Sequence, residues 1–512
     1  MVYGESPFST YGHGMSCLAG RPYVCPYFFY AMNGPLYELT LTALSYGGDA
    51  LGRIPDGDRV VFVPFGLPGE RVRVRLVGQR RGYARGELVE VLEPASERIL
   101  PRCKHFGLCG GCHYQHMPYD LQLKAKAEIL RDQFRRIGHI ENAPVQPAVA
   151  CPDPYNYRNQ VQFHLTPHGR LGYVRAGPFD QHGTARQGQR SALTIIPISE
   201  CHLPEAAINS LWPQLEFDPG MNIERVSIRQ GKDDEIMLAL ESDSAELPEL
   251  EIEAGISVAH IYEEHAAVMA GRDHVIMEVL GRDFQVSAAS FFQVNAFMAA
   301  QMVEHILTGI TSLRGTGRRS NLQFNLQHTL ESGPTGLPIS QSTDSPTSQS
   351  IILDVYCGVG LFSAFLAPKC KRLISIESSE SACEDFALNL EEFENVELYE
   401  DAAENVLPAL DVQPDIILVD PPRAGLQPAA LDAIVRMEPA TIIYVSCDPS
   451  TLARDAARLL NGGYHLRSVT PFDLFPQTYH IESISWFDLE RPAGPAHLDM
   501  QAQQKTRGPI MP

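Results

Sequence analysis

Four apolar runs recur in the last third of the chain, each followed by a segment long enough for a helix: Ile351-Ile-Leu-Asp-Val355, Arg372-Leu-Ile-Ser-Ile376, Asp415-Ile-Ile-Leu-Val419 and Thr441-Ile-Ile-Tyr-Val445. Strands that are apolar at consecutive positions are buried on both faces. Their alternation with helices predicts an α/β, doubly wound sheet over 351–490, with a ligand at the carboxyl ends of the strands. Near the start the period is two instead. Glu70-Arg-Val-Arg-Val-Arg-Leu-Val77 alternates polar and apolar, Arg59-Val-Val-Phe-Val-Pro64 is a second short strand, and Gly47-Gly48 and Pro68-Gly69 supply turns. This predicts a small β-barrel over 36–97.

Between these lies a stretch, 98–311, in which strand-like runs such as Gln160-Val-Gln-Phe-His-Leu165 mix with helical ones, giving an α+β central domain whose fold the pattern does not specify. The segment 312–350 is rich in Ser, Thr, Gln, Gly and Pro and reads as a flexible insertion. Residues 1–35 read as a disordered extension and 491–512 as a tail. A chain of 512 residues suits two to four domains of about 100 to 200 residues each.

Composition narrows the function. No apolar run approaches the roughly 20 residues that span a bilayer, so no membrane partner is expected. The first 35 residues lack a basic start and a sustained apolar stretch, which argues against export and for a cytoplasmic protein. A formal charge of −21 excludes a uniformly basic coat for nucleic acid, so any such contact must be local. The best basic stretch is Arg98–Arg136, which is either a solvated helix face or a nucleic-acid contact; Arg80, Arg81, Tyr83 and Arg85 on the barrel are open to the same two readings.

The chemistry gathers at the four strand ends. Asp354-Val-Tyr-Cys-Gly-Val-Gly360 runs a strand into a glycine turn, and Arg372-Leu-Ile-Ser-Ile376 ends at Glu377, where an acid can accept hydrogen bonds from a ribose diol. Asp401 lies either beside an adenine or in an exposed loop. Asp420-Pro-Pro-Arg-Ala-Gly425 holds an extended loop that aims Asp420 into the cleft, unless Asp420 caps the following helix. Cys447, in Ser446-Cys-Asp-Pro449, directly precedes a helix start, where the N-terminal dipole is expected to stabilise a thiolate nucleophile. Tyr479-His-Ile-Glu482 offers His480 or, preferred here, Glu482 to move a proton.

Eleven cysteines in a chain expected to remain in the cell argue against a disulfide framework. Cys103, Cys109 and Cys112, spaced x5 and x2 among glycines, point to a bound metal, with Cys201 chosen over Cys151 as the fourth ligand; spacing alone leaves zinc and an iron–sulfur cluster open.

Together with Phe292-Gln-Val-Asn295, these motifs resemble the RNA (uracil-5-)-methyltransferase family over about Leu36 to Leu489. The resemblance implies a C-terminal Rossmann-like methyltransferase domain, an OB-like TRAM barrel and a [4Fe-4S] cluster on Cys103, Cys109, Cys112 and Cys201. It implies S-adenosylmethionine contacts from Gln293, Tyr356, Glu377 and Asp420, with Cys447 as nucleophile and Glu482 as base. The implied substrate is a uridine in RNA, foremost 23S ribosomal RNA, with transfer RNA or another base as alternatives. No obligatory protein partner is indicated. The insertion at 312–350 and the N-terminal extension depart from the family pattern without touching its motifs.

Overall fold

The computed structural model describes residues 23–24, 34–54, 59–176, 194–249, 251, 255–263, 265–313 and 349–490. Most of the expected N-terminal extension, most of the 312–350 insertion and all of the 491–512 tail lie outside the described residues. The chain divides into two compact units, one comprising Met1–Pro118 with Arg175–Leu193, the other Tyr119–Val174 with Thr194–Pro512.

The first unit is a barrel of β1 (Tyr23–Val24), β2 (Leu36–Leu44), β3 (Asp49–Arg53), β4 (Val60–Pro64), β5 (Arg71–Gln79) and β6 (Tyr83–Glu93). The order β6-β4-β3-β2-β5 closes because β5 pairs back onto β6, and β1 adds to the far end of β6. The period-two pattern is realised in β5: Val72, Val74 and Leu76 point into the core with Leu39, Leu41, Val61 and Val63. On the outer face Arg71, Arg73 and Arg75 pair with Glu38, Glu87, Glu90 and Glu93 of the neighbouring strands.

The second unit begins with α1 (Tyr119–Arg136). A mixed sheet follows, built from β7 (Gln160–Leu165), β8 (Leu171–Val174), β9 (Ile195–Pro197), β10 (Arg225–Gln230), β11 (Ile236–Ser242), β12 (Ser257–Tyr262) and β13 (His265–Ala270) in the order β13-β12-β11-β10-β7-β8-β9. It packs around Phe163, Trp212, Val226, Ile228 and Leu240, with α2 (Ala206–Leu211) alongside. The hairpin β14 (His274–Val279) and β15 (Arg282–Ser287) leads to α3 (Ala296–Ser312), which Asn295 caps by accepting the Met298 N–H at 3.1 Å.

The four apolar runs become the centre of a seven-stranded sheet. Its strands are β16 (Ile351–Val355), β17 (Arg372–Glu377), β18 (Val396–Glu400), β19 (Ile416–Val419), β20 (Thr441–Ser446), β21 (Tyr464–Phe472) and β22 (Glu482–Leu489), in the order β18-β17-β16-β19-β20-β22-β21. The first five are parallel, and β22 runs antiparallel between β20 and β21. Helices α4 (Leu361–Leu366), α5 (Glu380–Asn389), α6 (Ala403–Ala409), α7 (Pro428–Met437) and α8 (Pro449–Asn461) fill the crossovers. The order reverses between β16 and β19, so a crevice opens outside their carboxyl ends, where a doubly wound sheet binds its ligand. Among the described residues no helix is long and apolar enough to cross a membrane.

Candidate active site

At the end of β16 the chain must turn sharply under the crevice. Tyr356, Gly358 and Gly360 adopt positive φ of 65°, 54° and 93°, and the Tyr356 and Cys357 amides donate to the Ile376 carbonyl at 2.9 and 3.1 Å. A Cβ on Gly358 would meet nothing within 4 Å, so the turn faces open space. Its N–H donates to Glu377 Oε2 at 2.9 Å, while Glu377 Oε1 accepts from the Ser378 and Ser379 amides at 2.7 and 2.9 Å. The Glu377 carboxylate is thereby fixed against the turn.

Asp354, fully buried beneath this turn, accepts from Ser363 Oγ at 2.6 Å, and its Oδ1 has no partner. Burial, reinforced by Glu377, pushes its carboxyl up to about 7. Asp420 follows β19, its amide donating to the Val355 carbonyl at 3.1 Å; burial, then Asp354 and Glu377, raise it to about 7 as well. Three acids thus meet at the ends of three adjacent strands, where burial and the neighbouring carboxyls raise Asp354 and Asp420. Asp420 is no helix cap, because the α7 N-cap is Gln427. Its loop is held from α8 instead: the buried Asp455 accepts the Leu426 N–H and the Tyr444 hydroxyl at 2.9 Å each, and Arg454 donates to the Ala424 carbonyl at 3.0 Å.

Cys447 stands where β20 passes into α8. The next residue, Asp448, caps that helix by accepting the Ser450 and Thr451 amides at 2.8 and 3.0 Å, with Pro449 in the first turn. The position is as expected; the ionisation is not. Burial, with Glu482, Asp420 and Asp448 raising it against Arg423 alone, pushes the thiol up to about 12. The helix terminus that favours a thiolate is opposed in this arrangement by desolvation and by three neighbouring carboxyls, with Arg423 acting on its side.

Glu482 opens β22 and is 7 % exposed. Burial and Asp420 hold its carboxyl well above the ordinary range, against Arg423 and Lys126. His480, half-buried, has its Nδ1 3.5 Å from an Arg423 nitrogen and its ring against Tyr479. Cys447, Asp420, Glu482 and Arg423 form one electrostatic cluster, and Tyr356 is coupled to Glu377, its hydroxyl pushed up to about 12 by burial.

The other expected residues fare differently. Gln293 is half-buried, its carbonyl accepting from Asn159 at 3.1 Å, and among the described residues no hydrogen bond ties its side chain to the cluster. Asp401 is exposed and accepts from the Ala402 amide and Asn405 at 2.7 and 2.9 Å, as a loop acid at the start of α6. Of the basic stretch, Lys126 is 1 % exposed and paired with Asp473, Arg98 is paired with the buried Glu70, and Arg135 and Arg136 with Asp132, so these four are committed within the protein.

The cysteine loop of the first unit turns its N–H groups onto sulfur: His105 N–H to Cys103 Sγ at 3.4 Å, Gly111 N–H to Cys109 Sγ at 3.4 Å, and Gln115 Nε2 to Cys112 Sγ at 3.2 Å. Cys201, in the second unit, packs against the Trp212 core, and burial pushes its thiol up. Among the described residues no three His, Cys, Asp or Glu side chains converge to hold a metal ion. The cluster expected on these four cysteines is therefore not matched by a ligand set.

The residues that sequence reasoning missed hold the approach to Glu482: Gln122, Lys126, Tyr157, Asn295 and Asp473. In the sequence each is an ordinary polar residue. Only Asn295 carried a signal, through the Phe292–Asn295 motif.

Two family models match the chain: tRNA (Uracil-5-)-methyltransferase over residues 342–489 and the TRAM domain over 31–89. An uncharacterized RNA methyltransferase of Thermosynechococcus vestitus is 32% identical over 487 residues, covering 88% of this chain and 98% of that protein. One from a Synechocystis species is 31% identical over 485 residues, covering 88% and 95%. In fold the chain is similar to the crystal structure of Pyrococcus abyssi tRNA (uracil-54, C5)-methyltransferase in complex with S-adenosyl-L-homocysteine, with a TM-score of 0.60 at 21% identity, covering 88% of this chain and 99% of that one. The chain belongs to the tRNA (uracil-5-)-methyltransferase family of RNA methyltransferases.

Proposed function

We propose that this protein methylates C5 of a uridine in RNA, using S-adenosylmethionine, through a covalent bond between Cys447 and uracil C6. The observation that carries the reading is the grouping of a cysteine, Cys447, with Glu482, Asp420 and Arg423 at the end of β20. A methyltransferase acting on an exocyclic amine needs neither the thiol nor the second acid. Uracil C5 does need them, because it is a poor nucleophile until a thiolate adds to C6.

S-adenosylmethionine supplies an electrophilic methyl group when bound. The open turn at Gly358, the clamped Glu377 and the unpartnered Asp354 oxygen fit a polar, cationic ligand at the crevice, and Tyr356, Glu377, Asp420 and Gln293 are the residues proposed to hold it. Cys447 must lose its proton, to water, as its sulfur bonds to C6; the C5=C6 π electrons become an enolate, whose C5 takes the methyl as the bond from that methyl to its sulfonium sulfur breaks. Glu482, as carboxylate, then removes the C5 proton, C5=C6 re-forms, and the C6–S bond breaks with sulfur leaving as thiolate, which takes up a proton to restore the thiol. A base this deeply set reaches a uridine only when the nucleotide is unstacked, which costs a few kcal/mol and favours a loop.

The RNA proposed first is 23S ribosomal RNA. The name of the matching family and the activity named for the P. abyssi protein favour transfer RNA as the second reading. Nucleoside analysis of both RNAs from cells with and without this gene tests them: 5-methyluridine lost from one names the substrate, and loss from neither contradicts the proposal. Cys447→Ala is expected to form no 5-methyluridine. An iron–sulfur cluster in the loop of Cys103, Cys109 and Cys112 is a separate proposal, supported by the N–H donors on these three sulfurs, and no step of the reaction passes through it. Iron and sulfide content of protein purified without oxygen tests it.

A further inference from the structure

The segment 473–481, between β21 and β22, delivers Glu482, and almost all of its first half is gripped from outside the sheet. Lys126 Nζ donates to Asp473 Oδ1 at 2.6 Å and to the Phe475 carbonyl at 3.0 Å. Asn295 Nδ2 donates to the Leu474 carbonyl at 3.3 Å, and Tyr157 Oη to the Pro476 carbonyl at 3.0 Å. Gln122 takes the Gln477 amide at 3.0 Å and donates to its side chain at 3.0 Å. Gln477 is held at φ 69°, a conformation that an L residue keeps only under such constraint. Five consecutive residues are therefore tied by four side chains from α1, the segment before β7 and the start of α3.

Fold stability alone does not account for this arrangement. An ion pair with both partners 1 % exposed stabilises little compared with apolar side chains of the same volume. What it does supply is a fixed position for Lys126, whose ammonium burial and Arg158 disfavour and Asp473 and Glu482 favour.

We propose that Lys126, supported by Gln122, Tyr157 and Asn295, is the positioning residue for Glu482: it sets where the carboxylate sits. The inference rests on Glu482 being the base that resolves the covalent adduct. Its role lies after methyl transfer, so disturbing it does not prevent attack by Cys447. A displaced Glu482 leaves the methylated uracil bonded to Cys447 with its C5 proton in place.

The experiment is a single-turnover assay with S-adenosylmethionine and substrate RNA that reads both released 5-methyluridine and denaturant-stable enzyme–RNA adduct. Glu482→Gln is the reference and must accumulate adduct. Lys126→Met is expected to slow release about 100-fold, the loss that follows a small misplacement of a reacting group, with the adduct-to-product ratio rising in step. Lys126→Arg, which keeps the cation, restores part of the release. Tyr157→Phe removes one hydrogen bond, is expected to fold, and shifts the ratio about threefold in the same direction. A merely structural role lowers adduct and product together. An unchanged ratio in Tyr157→Phe and Lys126→Met, or in Tyr157→Phe alone should the other fail to fold, overturns the clamp while Glu482→Gln still traps adduct. No adduct from Glu482→Gln overturns the assignment of the base, and this inference with it.

Discussion

At the scale of single residues, the environment of Cys447 decides how the site works. Burial pushes the thiol up to about 12 and holds the Glu482 carboxyl well above the ordinary range, so both groups resist ionisation and activity depends on deprotonation. Turnover at saturating substrate is therefore expected to climb steadily from about pH 6 to 9, and a flat profile contradicts this. Arg423 is the cation that favours ionisation of both groups, so Arg423→Ala moves the rising limb to higher pH; steady-state rates across that range measure it. Asp354 makes a separate prediction about stability. Its folded carboxyl titrates at about 7 against 3.8 unfolded, so the folded state holds the proton more tightly. That stabilisation is complete below the unfolded value and is lost as pH rises through 7. Asp354→Asn, which cannot ionise, is expected to flatten the fall in melting temperature between pH 4 and 7.

At the scale of elements, the central strands were legible because burial on both faces leaves an uninterrupted apolar run, as in Ile416–Val419, where every residue is buried. The position of Cys447 was legible too, since Asp448 and Pro449 form a helix start recognisable from residue type. The inner face of α1 was not. Gln122 and Lys126 are polar, and their burial is set by partners at Gln477 and Asp473, more than 340 residues along the chain. The thiol's ionisation escaped for the same reason, because the acids that govern it arrive from β19 and β22. Between these extremes lies the Asp420 loop, whose motif was visible but whose support from α8 was not. Gly425 there has φ 73°, and a Cβ would lie 2.6 Å from Arg454 Nη2 and Asp455 Oδ2. Gly425→Ala is expected to cost about 1 to 3 kcal/mol of stability and to weaken S-adenosylmethionine binding, measured by calorimetry; unchanged affinity would separate this loop from the cofactor.

At the scale of the whole molecule, a net charge of −21 means that RNA must be met by local features. On the barrel, the outer arginines of β5 are paired with glutamates, whereas Arg80, Arg81 and Tyr83 stand exposed at the β5–β6 turn. Replacing Arg80 and Arg81 with Ala is expected to weaken RNA binding and to flatten its salt dependence by up to about two units of log–log slope, leaving cofactor affinity unchanged. The central claim, a bond between Cys447 and uracil C6, is tested most directly with substrate RNA carrying 5-fluorouridine at the target position. Fluorine in place of the C5 proton leaves Glu482 nothing to remove, so the adduct cannot resolve. Mass spectrometry of the digested complex is predicted to find a methylated fluorouracil nucleotide on the peptide containing Cys447; steady turnover on normal RNA with no such adduct contradicts the account.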